Sequence, residues 1–335
     1  MKNLPVEKFY SEKNRETTKA IDKFLLEHFS SDPKIKYHIM RRQKTAPTKI
    51  KSFFVRIGFE IGNTKNQNDW ETIIPLCAVV ELLNIGNYLI ERSIDYNQKE
   101  DYKLGSKIRK IVLSNKFLEP YEKDKLNLMI DGINEYLKTD NEILIWDKPI
   151  NKSSFSNAYQ EKCFGVGGQY YGHCLDLGYL KSKNKDEIIK KHLIKIGEIF
   201  GTYYQMAHEV ADLLPEKLKR FPEDFKYYQK QYNSIRKQKL TLPIYFALYE
   251  WRDFDKKEFL KAAKEKNYNL ITQIFLKEKI IKKCKTYIRK SMKEVESEFK
   301  FLPDSIWRSV LKVGVNAVNS NTFWKHFKKL YAEVA

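Results

Sequence analysis

The sequence predicts an all-α protein, a single helical bundle. Three observations predict it. Apolar residues recur with the helical period along the chain, and no segment shows the strict alternation of a half-buried strand. Gly and Pro number only 13 and 10 in 335 residues, and no Pro- or Gly-rich linker divides them. Hydrophobic residues make up 42% and aromatic residues 14% of the chain, enough for one large core. One domain over 1–335 is therefore expected.

The elements follow in order. Arg15 to Phe29 reads as an amphipathic helix stopped by Ser30-Ser31-Asp32-Pro33, and Lys51 to Gly62 as a second, turning Phe53, Phe54, Ile57 and Phe59 inward. After a polar loop, Trp70 to Asp95 is a long helix apolar nearly all round. It contains Pro75, Glu81, Asn84 and Asn87, so a buried central helix fits it better than a membrane span. Tyr96 to Gly105 is mixed and polar, and reads as a loop over an active-site mouth. Helices follow over Ser106 to Leu118 and Tyr121 to Lys138. Ser153 to Leu177 reads as helix in two pieces broken near Glu161. Gly165, Gly168 and Gly172 lie close to one stripe there, which asks for close helix approach or ligand access. Asp186 to Leu214 is another long helix, Glu223 to Arg236 a polar one, Thr241 to Trp251 an apolar one, and Lys256 to Ala335 three or four more.

Net charge is +19, but the lysines are spread along the chain rather than blocked, and no nucleic-acid-binding motif accompanies them. A Lys-rich solvated surface with a few phosphate-binding lysines accounts for that charge. Cys77, Cys163, Cys174 and Cys284 have neither disulfide-framework nor zinc-site spacing, which suits a reducing cytoplasm. The first ten residues are polar, so no signal peptide is expected.

Two short stretches carry the chemistry. In Glu91-Arg92-Ser93-Ile94-Asp95 the acids Glu91 and Asp95 stand at i, i+4; in His208-Glu209-Val210-Ala211-Asp212, Glu209 and Asp212 stand at i, i+3. Acids at those spacings share a helix face and repel one another unless a cation or ligand compensates. Two such faces suggest a divalent-metal site between two helices. The plain alternative is that each pair consists of helix-end acids matched by surface lysines, with the Tyr and Phe stripes as core.

The order of these pieces resembles the trans-isoprenyl diphosphate synthase (polyprenyl synthetase) family, of the class I isoprenoid synthase fold. Glu81-Leu82-Leu83-Asn84 leads without a gap to Leu89-Ile90-Glu91-Arg92-Ser93-Ile94-Asp95, like that family's first Asp-rich motif. Tyr204-Gln205 precedes His208-Glu209-Val210-Ala211-Asp212 as Phe-Gln precedes the second. Lys239-Leu240-Thr241-Leu242-Pro243 is similar to a later Lys-x-Thr-Leu-Pro segment, and Lys162 to a mid-chain lysine that begins a Gly-containing helix. Lys49 and Lys51 stand at two arginine positions of a basic segment, and Asn84 near a position where the family has histidine. The resemblance covers roughly residues 20 to 250.

It implies metal-assisted ionisation of an allylic prenyl diphosphate and prenyl transfer to isopentenyl diphosphate, with magnesium (Mg2+) as cofactor. Glu91, Asp95, Glu209 and Asp212 would hold metal, with Arg92 and His208 as altered members of the two catalytic motifs. Lys49, Lys51, Lys162, Lys239, Asn84 and Gln205 would bind substrate, with Asn87 and Tyr88 lining the cavity. A homodimer is expected, or a heteromer with an active synthase, with no nucleic acid and no transmembrane span. Two rivals stay open: a terpene synthase acting on one prenyl diphosphate, and a degenerate subunit that modulates an active synthase.

Overall fold

In the computed structural model, residues 5–45, 49–63, 69–142, 151–211, 240–250, 253–265, 267–277 and 279–316 are described. Among them every regular element is a helix. The chain forms two compact units. The first comprises 1–133, 169–198 and 295–315, the second 134–168, 199–294 and 316–335.

The first unit opens with α1 (Val6–Phe29) and α2 (Pro33–Thr45). α2 is a helix where only a stop was expected. Pro33 sits at its first position, and Asp32 Oδ1 accepts from the backbone N–H groups of Lys34 (2.8 Å) and Ile35 (3.2 Å), so the stop residues also start the next helix. α3 (Ile50–Gly62) is buried along almost its whole length. A 3-10 turn over Trp70–Ile73 leads into α4 (Ile74–Tyr96), which ends on Asn97 in the left-handed conformation at φ 54°. α5 (Lys99–Leu113) starts at once, so the expected loop over Tyr96 to Gly105 is largely helix. α8 spans Gln169–Leu180, and α6 (Pro120–Glu142) and α9 (Glu187–Ala211) belong to this unit as far as residues 133 and 198.

Close backbone contact explains two of the glycines. A Cβ on Gly178 of α8 would lie 1.8 Å from the Val55 carbonyl oxygen of α3, and one on Gly105 of α5 would lie 2.7 Å from that of Gly86 in α4. Only a residue without a side chain lets those helices approach so closely. Gly105, read as a loop residue, is thus a packing position. α4 is long and apolar enough to cross a membrane, yet most of it is buried against its neighbours in this unit.

The second unit holds α7 (Lys152–Cys163), capped by the Asn151 side chain on the Ser154 N–H, and a π-helical turn over Phe164–Gly168 where the break near Glu161 was expected. α10 (Leu242–Tyr249), α11 (Asp253–Lys264), α12 (Tyr268–Lys277) and α13 (Ile280–Ser291) follow, and the short α14 (Glu294–Glu298) leads back into the first unit. α15 (Ile306–Asn316), in the first unit, is the last described helix. Phe155, Tyr159, Phe200, Ile244 and Phe259 are buried in the second unit.

Candidate active site

α4 is apolar except along one stripe. Glu81, Asn84, Asn87, Tyr88 and Glu91 follow the i, i+3, i+4 spacing that lines one helical face. The three buried members of that stripe each meet a cationic side chain from another helix of the first unit. Arg42 Nε of α2 donates to Glu81 Oε1 at 3.1 Å, Lys51 Nζ of α3 to Asn84 Oδ1 at 2.8 Å, and Arg109 Nε of α5 to Asn87 Oδ1 at 2.7 Å. Arg109 fixes the orientation of the Asn87 amide. Among the described residues, the buried Nδ2 of Asn87 then meets no hydrogen-bond acceptor.

Lys51 also lies 4.0 Å above the ring of Tyr170 in α8. Burial pushes its ammonium down to about 8 from an ordinary 10.5, against the opposing pull of Cys174, Glu81 and Glu91. Burial likewise lowers Arg109 to about 10. Arg42 and Arg109 were missed in the sequence, and Tyr170, read there as core, is indeed buried. Arg42 sits on the unforeseen α2, and nothing in the spacing ties Arg109 or Tyr170 to α4.

The other first-unit candidates divide. Lys49 is buried and paired with Asp22 of α1 at 3.2 Å, so its charge is matched within the helices. Glu91, Arg92 and Tyr88 are half-buried. Arg92 Nε donates to Asp101 Oδ2 at 2.5 Å across the tight α4–α5 turn. Asp95 is the penultimate residue of α4, and its side chain lies outside the described residues.

In the second unit, Lys162 stands in the last turn of α7 rather than beginning a helix. A cation is favoured there by the helix dipole. Its side chain is 1% exposed, and its Nζ lies 3.1 Å from Glu209 Oε1. The same Nζ donates to the Leu240 carbonyl at 2.5 Å, just before α10, and sits 5.0 Å from the centre of the Tyr136 ring. The Tyr159 hydroxyl donates to Glu209 Oε2 at 2.8 Å, and burial, Cys163 and Glu209 keep that phenol protonated well past its ordinary range. Glu209 is therefore hydrogen-bonded at Oε2 and ion-paired at Oε1, the latter without a hydrogen bond among the described residues. His208 and Gln205 are half-buried on α9, His208 meeting the Tyr204 ring edge-on at 4.5 Å. Asp212 and Lys239 lie outside the described residues.

No family model and no curated protein sequence matches the chain. Solved structures do. Geranylgeranyl pyrophosphate synthetase from Pyrococcus horikoshii Ot3 matches at TM-score 0.69 and 18% identity, over 93% of this chain and 98% of its own. Heptaprenyl diphosphate synthase from Staphylococcus aureus matches at TM-score 0.69 and 16% identity, over 95% and 99%. Polyprenyl synthase from Caulobacter crescentus CB15, crystallised with calcium and isoprenyl diphosphate, matches at TM-score 0.66 and 11% identity, over 94% and 97%. The chain has the trans-isoprenyl diphosphate synthase fold.

For a chain of this fold the two acidic stretches differ as donors. Magnesium takes hard oxygen ligands and keeps several waters, so it needs carboxylates that water can reach. Glu91, half-buried on α4, is partly open to water. Glu209 is buried instead, ion-paired at Oε1 with an ammonium and hydrogen-bonded at Oε2 by a phenol. Among the described residues no three His, Cys, Asp or Glu side chains come together as a metal-binding group.

Proposed function

We propose that this protein binds an allylic prenyl diphosphate and transfers its prenyl group to isopentenyl diphosphate. The observation that carries the reading is the cationic cluster Arg42, Lys51 and Arg109 on the polar stripe of α4 that leads to Glu91, in a chain of isoprenyl diphosphate synthase fold. Arginine forks and a lysine ammonium suit phosphate oxygens. The Asn87 amide N–H groups are further donors.

Glu91 and Asp95 are the residues proposed to hold magnesium, whose charge would neutralise the departing diphosphate. The buried apolar length of α4 keeps water from a carbocation, which water would otherwise quench. The Caulobacter structure was crystallised with calcium and isoprenyl diphosphate, which supports the same ligand class here. A cytoplasmic homodimer belongs to the proposal. Incubation with farnesyl diphosphate, labelled isopentenyl diphosphate and magnesium is expected to give a longer labelled prenyl product. Release of diphosphate with no elongation would select the single-substrate terpene synthase reading, and neither product would remove catalysis.

A second reading is favoured by the ion pairs Arg92–Asp101 and Lys162–Glu209, which engage charged groups of both motifs. It is a subunit that modulates an active synthase. Farnesyl diphosphate binding without turnover, together with co-purification with a synthase, would support it.

A further inference from the structure

We propose that Lys162 serves as a built-in cation for Glu209, so that the second acidic stretch works without a divalent metal at that carboxylate. The proposal rests on the prenyl diphosphate reading only for the expectation that this carboxylate would otherwise be a metal ligand. Four observations in the second unit carry it. Lys162 and Glu209 are both buried, with side chains 1% and 8% exposed, so the pair is not a chance surface contact. The Lys162 ammonium is anchored twice, on Glu209 Oε1 at 3.1 Å and on the Leu240 carbonyl at 2.5 Å. The second carboxylate oxygen accepts from Tyr159 at 2.8 Å. The position that opens this stretch is His208, and imidazole is a poor partner for magnesium.

A divalent ion entering here would have to displace a buried ammonium from its carboxylate. Removing one partner of such a pair leaves the other charge buried and uncompensated. A tethered ammonium supplies one positive charge at the carboxylate, always in place and independent of the metal concentration. The stretch thereby keeps a compensated acid at Glu209 while giving up a metal position.

The test counts metal ions on the full chain. Mn2+ stands in for magnesium, and its free concentration is followed by electron paramagnetic resonance. Glu209→Gln is expected to bind as many Mn2+ ions as wild type, with a dissociation constant within about twofold. Glu91→Gln serves as the opposite case and is expected to lose an ion or bind it about tenfold more weakly. If Glu209→Gln does not fold, Lys162→Met/Glu209→Gln, which removes both charges together, gives the same readout. One Mn2+ fewer in either folded Glu209 variant would overturn the proposal. Wild type that binds no Mn2+ at all would leave it standing while removing the magnesium part of the proposed function.

Discussion

The ends of α4 and α9 carry two copies of one idea, an acidic stretch closing a long helix, and they have settled differently. At the end of α4, Glu91 is half-buried, and the intruding Arg92 is drawn away to Asp101 of the next helix. At the end of α9, Glu209 is buried and shared between Lys162 and Tyr159. The first engages the intruding cation with an acid of the next helix. The second brings a cation onto an acid for good. Loss of an aspartate from a metal motif therefore does not decide the chemistry by itself. What differs is how deeply the remaining carboxylate is buried, Glu91 half-buried and Glu209 buried with its cation.

The comparison is most easily broken at Lys162. Lys162→Met leaves Glu209 buried beside an apolar chain and is expected to cost about 3–5 kcal/mol. Lys162→Met/Glu209→Gln should recover most of that, since no uncompensated charge remains. Urea denaturation of the three proteins checks both values, and a near-neutral Lys162→Met would mean that Glu209 is already reached by water. Next in size is Glu91→Gln, expected to weaken magnesium-dependent binding of a farnesyl diphosphate analogue about tenfold while leaving stability within about 0.5 kcal/mol. Equal losses for Glu91→Gln and Glu209→Gln would erase the difference between the stretches.

Arg92→Ala should cost less, about 1 kcal/mol or below, because Arg92 and Asp101 side chains are 16% and 12% exposed and lie on a turn near water. The same variant sharpens the comparison if binding is unchanged, as expected of a cation already engaged elsewhere. The smallest effect is a pH trend at Lys51. Its folded value of about 8 lies below the ordinary 10.5, so between those pH values the unfolded chain binds more protons. Its cost to stability is complete below pH 8 and is relieved as pH rises toward 10.5. The charge on Lys51 is lost over the same rise, so diphosphate affinity should fall through pH 8, and Lys51→Arg should flatten that fall.

Much of the fold was legible because periodicity is local. α3, α4 and α9 follow from their apolar spacing and flanking stop residues. α2 was not, since Ser30-Ser31-Asp32-Pro33 reads equally as the end of one helix and the cap of the next. The start of α5 was missed because its polar first turn resembles a loop, and Gly105 shows its purpose only against Gly86. At the site, Glu91 and Glu209 could be placed from spacing alone. Their partners could not: Asp101 reaches Arg92 only because Asn97 turns the chain sharply, and Lys162 reaches Glu209 across two helices far apart in sequence. Side-chain pairing over such separations leaves no periodic trace.

Calorimetric titration with a non-hydrolysable farnesyl diphosphate analogue, with and without magnesium, tests the central claim most directly. Wild type and Glu209→Gln should both bind about tenfold more tightly when magnesium is present, and Glu91→Gln should lose that gain. Loss of the gain in Glu209→Gln as well, or no binding by wild type under either condition, would contradict the account.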